Sequence, residues 1–248
     1  MKYTTVFALL AASAAALPGR PLKNNRGLTK RALGHQSVPN QRNTTHPQYS
    51  GNWAGAVQSG QSFTHVEGVI TVPQVSGAEG AAASAWVGID GDACQQALLQ
   101  TGVSFYANGA FDAWYEWIPD ASSDFDDFQL SVGDQIKMVI DATGVTTGVA
   151  TLENLTTGQK VTHTYDSSPS SLCQNSAEWI VEAFMEGGSQ VVLADFGQVT
   201  FTGASATDSA GTVDGDGATI IDMQDQTGNT LTDCAASGSR VSCTYTGN

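Results

Sequence analysis

Residues 151–165, "TLENLTTGQKVTHTY", read as two short alternating runs joined through Thr156, Thr157 and Gly158, and so predict a β-hairpin. The same pattern continues on both sides. Downstream it recurs in "EWIVEAF", "QVVLADF", "QVTFTG", "ATIIDM" and "RVSCTYT"; upstream, in "DQIKMVIDAT", "AWYEWI", "ALLQTGVSF", "SAWVGID" and "HVEGVITVPQV". Clusters of Gly, Asn, Asp and Ser separate these runs, which is the punctuation of an all-β protein. No repeat of fixed period appears, which argues against a propeller or solenoid. About 200 residues of such sequence can bury one large core. The pattern predicts a single two-sheet antiparallel β-sandwich.

The first 43 residues have a different character. Residues 1–17 open "MKYTTVFALLAASAAALPG" with Lys2, an apolar run and the small residues Ala14–Ala16. This is the layout of a cleaved secretory signal, too short to span a membrane. Residues 18–43 carry six Lys or Arg, no Asp or Glu and little apolar content, with Lys30-Arg31 as a dibasic processing site. Such a segment cannot bury a core alone, and its place after a signal marks it as a propeptide. The predicted domain, residues 44–248, holds three Lys or Arg (Lys137, Lys160 and Arg240) against 24 acids, a net charge of −21 with His neutral. That imbalance argues against nucleic acid or an anionic membrane as partner. It suits a secreted, monomeric protein working in acid, where protonation relieves self-repulsion. The basic leader is expected to lie along the acidic domain and inhibit it.

Four cysteines in a secreted chain predict two disulfides. Cys234 and Cys243 flank a Ser-Gly turn in "CAASGSRVSC", as across a hairpin, which leaves Cys94 to pair with Cys173. Asn43 in "NTT" and Asn154 in "NLT" sit in glycosylation acceptor patterns.

Several chemistries are poorly supported. There is no Gly-x-Ser-x-Gly elbow, and His65 and His163, the histidines well inside the domain, sit in β patterns. No His/Cys cluster suggests zinc, and the "DGDG" turn at 214–217 lacks the rest of a calcium loop, so neither a metal nor a cofactor is expected. The Asp-Thr/Ser-Gly triplets of a pepsin-like pair of acids are missing. What remains is polar groups on strand faces. Trp86, Gly88 and Asp90 share a face; so do Leu98, Gln100, Gly102 and Ser104; so do Asp112, Trp114 and Glu116; so do Glu178, Ile180, Glu182 and Phe184. Aromatics for contact, glycines for close approach and acids for chemistry suggest a wall that binds an extended polymer. Gln100 lies six residues after Cys94 and Glu182 nine after Cys173, so a Cys94–Cys173 bond would permit the two to approach. Glu178, about 13 Å from Glu182 along the strand, reads as a rim or structural group.

The stretches "YSGNWAGAV", "AWVGIDGDACQQALLQTG", "DAWYEWIP", "ATLENLTTGQKV", "SLCQNSAEWIVEAF" and "TDCAASGSRVSC" together resemble the fungal glutamic peptidases, the eqolisins, from about Tyr49 to Tyr245. The resemblance implies a lectin-like sandwich of the concanavalin A or jelly-roll kind and a secreted, acid-active, pepstatin-insensitive endopeptidase made with a propeptide. Its catalytic pair falls by motif on Gln100 and Glu182, and its cleft on Trp53, Trp86, Asp90 and Glu116. Ser104 departs from members that carry an acid there, and an extra disulfide of some members has no counterpart near "MEGGSQ" (185–190). In the implied mechanism Glu182 removes a proton from an attacking water, so its pKa should stay near or below an acid working pH. The Gln100 amide supplies a donor to the oxyanion.

Two other readings fit the same residues. A glycoside hydrolase would pair Glu116 with Glu182 and leave Gln100 incidental. A sugar-binding lectin would use the aromatics alone.

Overall fold

The computed structural model describes residues 35–43 and 48–247. The expected signal and most of the expected leader lie outside the described residues. The described chain forms 18 strands and no helix, arranged in two large sheets and a small two-stranded ribbon, Met185–Glu186 with Ser189–Gln190. The first large sheet runs in the order Tyr49–Ser50, Thr219–Met223, Trp53–Ser59, Ser176–Glu182, Ala82–Asp90, Leu98–Tyr106, Phe111–Ile118, Ser123–Asp124. The second runs Gln159–Tyr165, Gly148–Asn154, Gln135–Ala142, His65–Thr71, Gln198–Asp208, Arg240–Tyr245, Thr232–Ser237, with Gly211–Val213 pairing with Gln198–Asp208 off this path. Within these sheets the pairings are antiparallel, save Tyr49–Ser50 beside Thr219–Met223.

The hairpin at 148–165 forms as its sequence predicts. Asn154 pairs with Gln159, leaving Leu155–Gly158 as the loop. Gly158 takes a left-handed φ of 78°, which costs glycine nothing. The Asn154 side-chain oxygen accepts the N–H groups of Thr156 and Thr157 at 3.0 and 3.1 Å, closing the turn.

One core lies between the sheets. Val87, Leu99, Val103, Trp179 and Val181 from the first sheet meet Val66, Ile136, Met138, Ile140, Leu152 and Phe201 from the second, all fully buried. The Trp179 indole donates to the Glu67 carbonyl oxygen across the interface at 2.8 Å. The first sheet also carries a separate apolar cluster, Trp53, Val57, Trp86, Leu98, Trp114, Ile118, Ile180 and Ile221, contributed by the alternate positions of its strands.

Both disulfides pair as the sequence predicts. Cys234 and Cys243 stand opposite each other on neighbouring strands. The Cys94–Cys173 bond, with Cα atoms 6.1 Å apart, ties the turn after Ala82–Asp90 to the approach to Ser176–Glu182.

Candidate active site

The alternate face of the first sheet gathers the polar residues picked out by the sequence. Gln100 stands opposite Glu116 on one side and Gly88 on the other; Gly88 in turn faces Glu178. Glu182 is level instead with Ser84 and, one strand further, Ser104. The disulfide therefore does not bring Gln100 and Glu182 level: by register, Glu182 is four residues further along. Side chains close the gap. Gln100 Nε2 donates to Glu116 Oε2 at 2.7 Å, and the Glu116 carboxyl is close enough to Glu182 to feel its charge. Trp86 Nε1 donates to Glu182 Oε2 at 2.9 Å, and Asn52 Nδ2 lies 3.5 Å from Glu182 Oε1. Trp53 packs edge-on against Trp86 with ring centroids 4.8 Å apart.

Glycine makes the aromatic floor possible. Gly102 faces Trp86 across the strand pair, and a Cβ there would come within 2.4 Å of both the Ala85 oxygen and the Trp86 Cβ. At Gly55, whose φ is 148°, a Cβ would come within 2.1 Å of the Trp179 oxygen. Both positions exclude larger residues by backbone proximity.

Residues 35–42 cross this face as an extended peptide. The His35 ring stacks on Phe184 (centroids 4.1 Å apart) and lies 4.4 Å from Trp114, while its Nδ1 is 3.1 Å from Ser104 Oγ. The backbone N–H of Ser37 donates to Glu116 Oε2 at 3.2 Å, and that of Val38 to Glu182 Oε1 at 3.3 Å. The Ser37 hydroxyl also interacts with both carboxyl groups. Trp53 Nε1 and Asn52 Nδ2 both donate to the Val38 oxygen at 3.1 Å. Beyond Pro39, the Asn40 N–H donates to the Gly91 oxygen, and Arg42 forms a two-pronged ion pair with Asp92.

Beneath this peptide the acids are sealed from water. Glu182, Glu116, Glu178 and Gln100 are all 0 % exposed. Burial is the leading cause that raises Glu182 to about 7, against the lowering contacts of Ser37, Val38, Trp86 and Trp53. With residues 35–42 covering it, Glu182 thus lies above the acid working range expected of it as a base. Burial first, and then the charge of Glu182, push Glu116 well above the usual carboxylate range. Gln100 Oε1 and Glu116 Oε1 have no hydrogen-bond partner among the described residues.

Three residues behave differently from their sequence reading. Asp90 does not reach the peptide: its carboxylate accepts the backbone N–H groups of Cys173, Gln174 and Asn175 at 2.7–2.9 Å and fastens the disulfide loop. Glu178 is no rim group but fully buried, and its carboxyl oxygens lack hydrogen-bond partners among the described residues. Asn154 is also fully buried, its Nδ2 donating to the Gln129 oxygen and Asp134 Oδ2, which leaves no room for a glycan. Asn43 is half-buried, and Thr44 and Thr45 of its acceptor pattern lie outside the described residues. His65 bonds Asp141 and His163 stacks on Tyr115, as ordinary sheet residues do. Asp90, Cys94 and Cys173 cluster closely enough to suggest a metal site, but both sulfurs are in the disulfide and the carboxylate is occupied by N–H donors. Strand periodicity picked out Trp114 but not Asn52 or Asp92, which lie in "YSGNWAGAV" and "AWVGIDGDACQQALLQTG" just outside the alternating faces.

The pattern of the Peptidase A4 family matches residues 51–245. The chain belongs to this family. It is 44% identical to Aspergillopepsin-2 of Aspergillus niger, over 99% of this chain and 100% of that protein. To Scytalidopepsin B of Scytalidium lignicola it is 43% identical, again over 99% and 100%. The crystal structure of scytalido-glutamic peptidase with a transition state analog inhibitor superposes with a TM-score of 0.76 at 45% identity, covering 79% of this chain and 98% of that one. Aspergilloglutamic peptidase from Aspergillus niger superposes with a TM-score of 0.64 at 50% identity, covering 67% and 99%. The matched residues span strands of both large sheets.

Proposed function

We propose that this Peptidase A4 protein is a secreted, acid-active endopeptidase in which Glu182 and Gln100 hydrolyse peptide bonds through an activated water, and that residues 18–43 are its inhibitory propeptide. The observation that carries the reading is the contact between the Val38 N–H and Glu182 Oε1. It sets a peptide nitrogen against the group that must return a proton to a leaving amine. The Ser37–Val38 bond then marks the position of a scissile bond.

In the proposed reaction Glu182, ionised, takes a proton from water as the water oxygen bonds to the peptide carbonyl carbon. The Gln100 N–H stabilises the resulting oxyanion, and an amide keeps that donor in acid. Glu182 then gives the proton to the nitrogen as the C–N bond breaks, leaving a carboxylic acid and an amine. Glu116, kept neutral by burial, acts on Gln100: its carboxyl holds the amide in place. Trp86 holds Glu182 through its indole N–H.

The leader inhibits in two ways on this reading. It fills the place of a substrate, and by excluding water it keeps Glu182 protonated in acid, so that the base cannot act. Removing it would rehydrate Glu182 and lower its pKa towards the working range.

The glycoside hydrolase alternative has the same acids available. The processed protein should cleave denatured protein in acid, insensitive to pepstatin and EDTA, and leave β-glucan intact. Glucan hydrolysis without proteolysis would replace the peptidase reading.

A further inference from the structure

Asp92 lies at the end of the cleft reached last by the leader and takes no part in the proposed hydrolysis. It is only 8 % exposed, on a turn fixed by the Gly91 N–H donating to the Cys94 oxygen at 3.1 Å and by Gln95 Nε2 donating to the Asp92 backbone oxygen at 2.6 Å. The Cys94–Cys173 bond holds this turn to the rest of the sheet. The carboxylate is therefore rigidly presented.

Its partners come from the leader. Asn40 Nδ2 donates to Oδ1 at 2.7 Å, Arg42 Nε to Oδ1 at 2.6 Å and Arg42 Nη2 to Oδ2 at 2.5 Å. No side chain of the domain donates to it among the described residues. The contrast with Asp90, two residues earlier, is direct: that carboxylate is filled by three N–H groups of the domain itself. An acid filled by its own fold is structural. One whose donors all arrive on a removable segment loses them together once that segment leaves, and a carboxylate held in place by its own turn favours any ligand that restores a planar two-pronged donor.

The spacing is fixed too. The Asn40 N–H donates to the Gly91 oxygen at 3.0 Å, and the Gln41 N–H to Asn52 Oδ1 at 2.9 Å, so the backbone is pinned on both sides of the cleft between Val38 and Arg42. Counting from the Ser37–Val38 bond, Arg42 is the fifth residue on the leaving side. We propose that Asp92 is a specificity site that selects a basic side chain, arginine above all, at the fifth residue after the cleaved bond, and that Arg42 is its occupant in the unprocessed chain. This rests on the peptidase reading and on the alignment of the Ser37–Val38 bond with Glu182.

The test uses the full chain, secreted and allowed to process, as wild type, Arg42→Gln and Asp92→Asn. Each is assayed at one fixed acidic pH and low salt on two peptides that differ only in arginine or citrulline at that fifth residue, with the cut site confirmed by mass. Citrulline keeps the shape and removes the charge. Wild type and Arg42→Gln should both favour the arginine peptide by about tenfold in kcat/KM, as a charged two-pronged contact warrants. In Asp92→Asn the preference should collapse towards unity. Both substitutions loosen the leader, so only the loss of selectivity distinguishes a substrate site from a mere leader clamp. Equal preference in Arg42→Gln and Asp92→Asn, or none in the wild type, overturns the inference. If Asp92→Asn does not fold, the arginine-to-citrulline ratio in the other two proteins still decides. Cleavage of neither peptide by any of the three would instead sink the peptidase reading, and this inference with it.

Discussion

The two large sheets share one core but differ on their other faces. In the second sheet the Gln135–Ala142 and Gly148–Asn154 strands alternate between buried and exposed or half-buried positions, and their acids, Asp141 and Glu153, reach the surface. In the first sheet Ala82–Asp90, Leu98–Tyr106 and Ser176–Glu182 are buried at every position. Their outward face is roofed by residues 35–42 and the surrounding loops, and it holds Gln100, Glu178 and Glu182, with Glu116 beside them. Burying unpaired carboxylates is unfavourable. A fold that keeps three on one face, while its other sheet brings its acids to the surface, marks that face as the candidate site.

The largest expected effect breaks that contrast directly. Glu182→Gln should abolish proteolysis, because an amide cannot take a proton from water, while Glu153→Gln on the second sheet should leave it unaltered. Turnover on a denatured protein, with circular dichroism to confirm folding, decides; substantial activity in Glu182→Gln would remove it from the catalytic role. Gln100→Ala comes next, with a loss of about 10²–10³-fold in kcat for the missing oxyanion donor. A loss confined to KM would mean that Gln100 only binds substrate.

The difference between the faces also explains what sequence could and could not reveal. Alternation around Thr156–Gly158 was sufficient for the hairpin, because strand pairing and the turn are local and the half-exposed face marks the period. The Cys234–Cys243 bond was legible for the same reason. On the first sheet, periodicity assigned Glu178 and Glu182 to one face but not their burial, because the cover comes from residues more than 130 positions away in the chain. The pattern at Asn154 says nothing of Asp134 and Gln129, which take its amide. Asp90 is indistinguishable from Asp92 by spacing alone. Only the fold shows that one is filled by the backbone of 173–175 and the other by Arg42.

A smaller effect concerns pH. Burial raises Glu182, Glu116, Glu178 and Asp90 in the folded chain, and hydrogen bonding to Asp141 raises His65. Groups whose folded pKa is raised contribute stability that is fully present below their unfolded value and lost as pH rises through the folded one. For Glu182 that window runs from the ordinary 4.5 to about 7, a loss of roughly 3 kcal/mol across it. The full chain should therefore melt at its highest temperature in acid and lose stability steadily towards neutrality. Glu178→Gln sharpens the point. Glu178 is raised chiefly by burial and then by the charges of Asp90 and Asp92, so the amide should match the parent in acid and exceed it at neutral pH. Parallel curves for the two proteins would mean that Glu178 does not titrate in this range.

The smallest effect belongs to the second sheet. Lys137 Nζ lies 2.8 Å from Glu67 Oε2, and His65 Nε2 lies 3.5 Å from the same atom while its Nδ1 bonds Asp141. Two neighbouring strands thus carry a row of charges, but the Lys137 and Glu67 side chains are 34 and 28 % exposed, so water and salt screen them. An exposed pair of this kind contributes about 0.2–1 kcal/mol. Lys137→Ala should lower the melting temperature only slightly at low salt, less at high salt, and leave proteolysis intact. A loss above about 2 kcal/mol, insensitive to salt, would place this row among the desolvated groups. The second sheet would then resemble the first in bearing buried charge, and burial alone could no longer separate a working face from a solvated one.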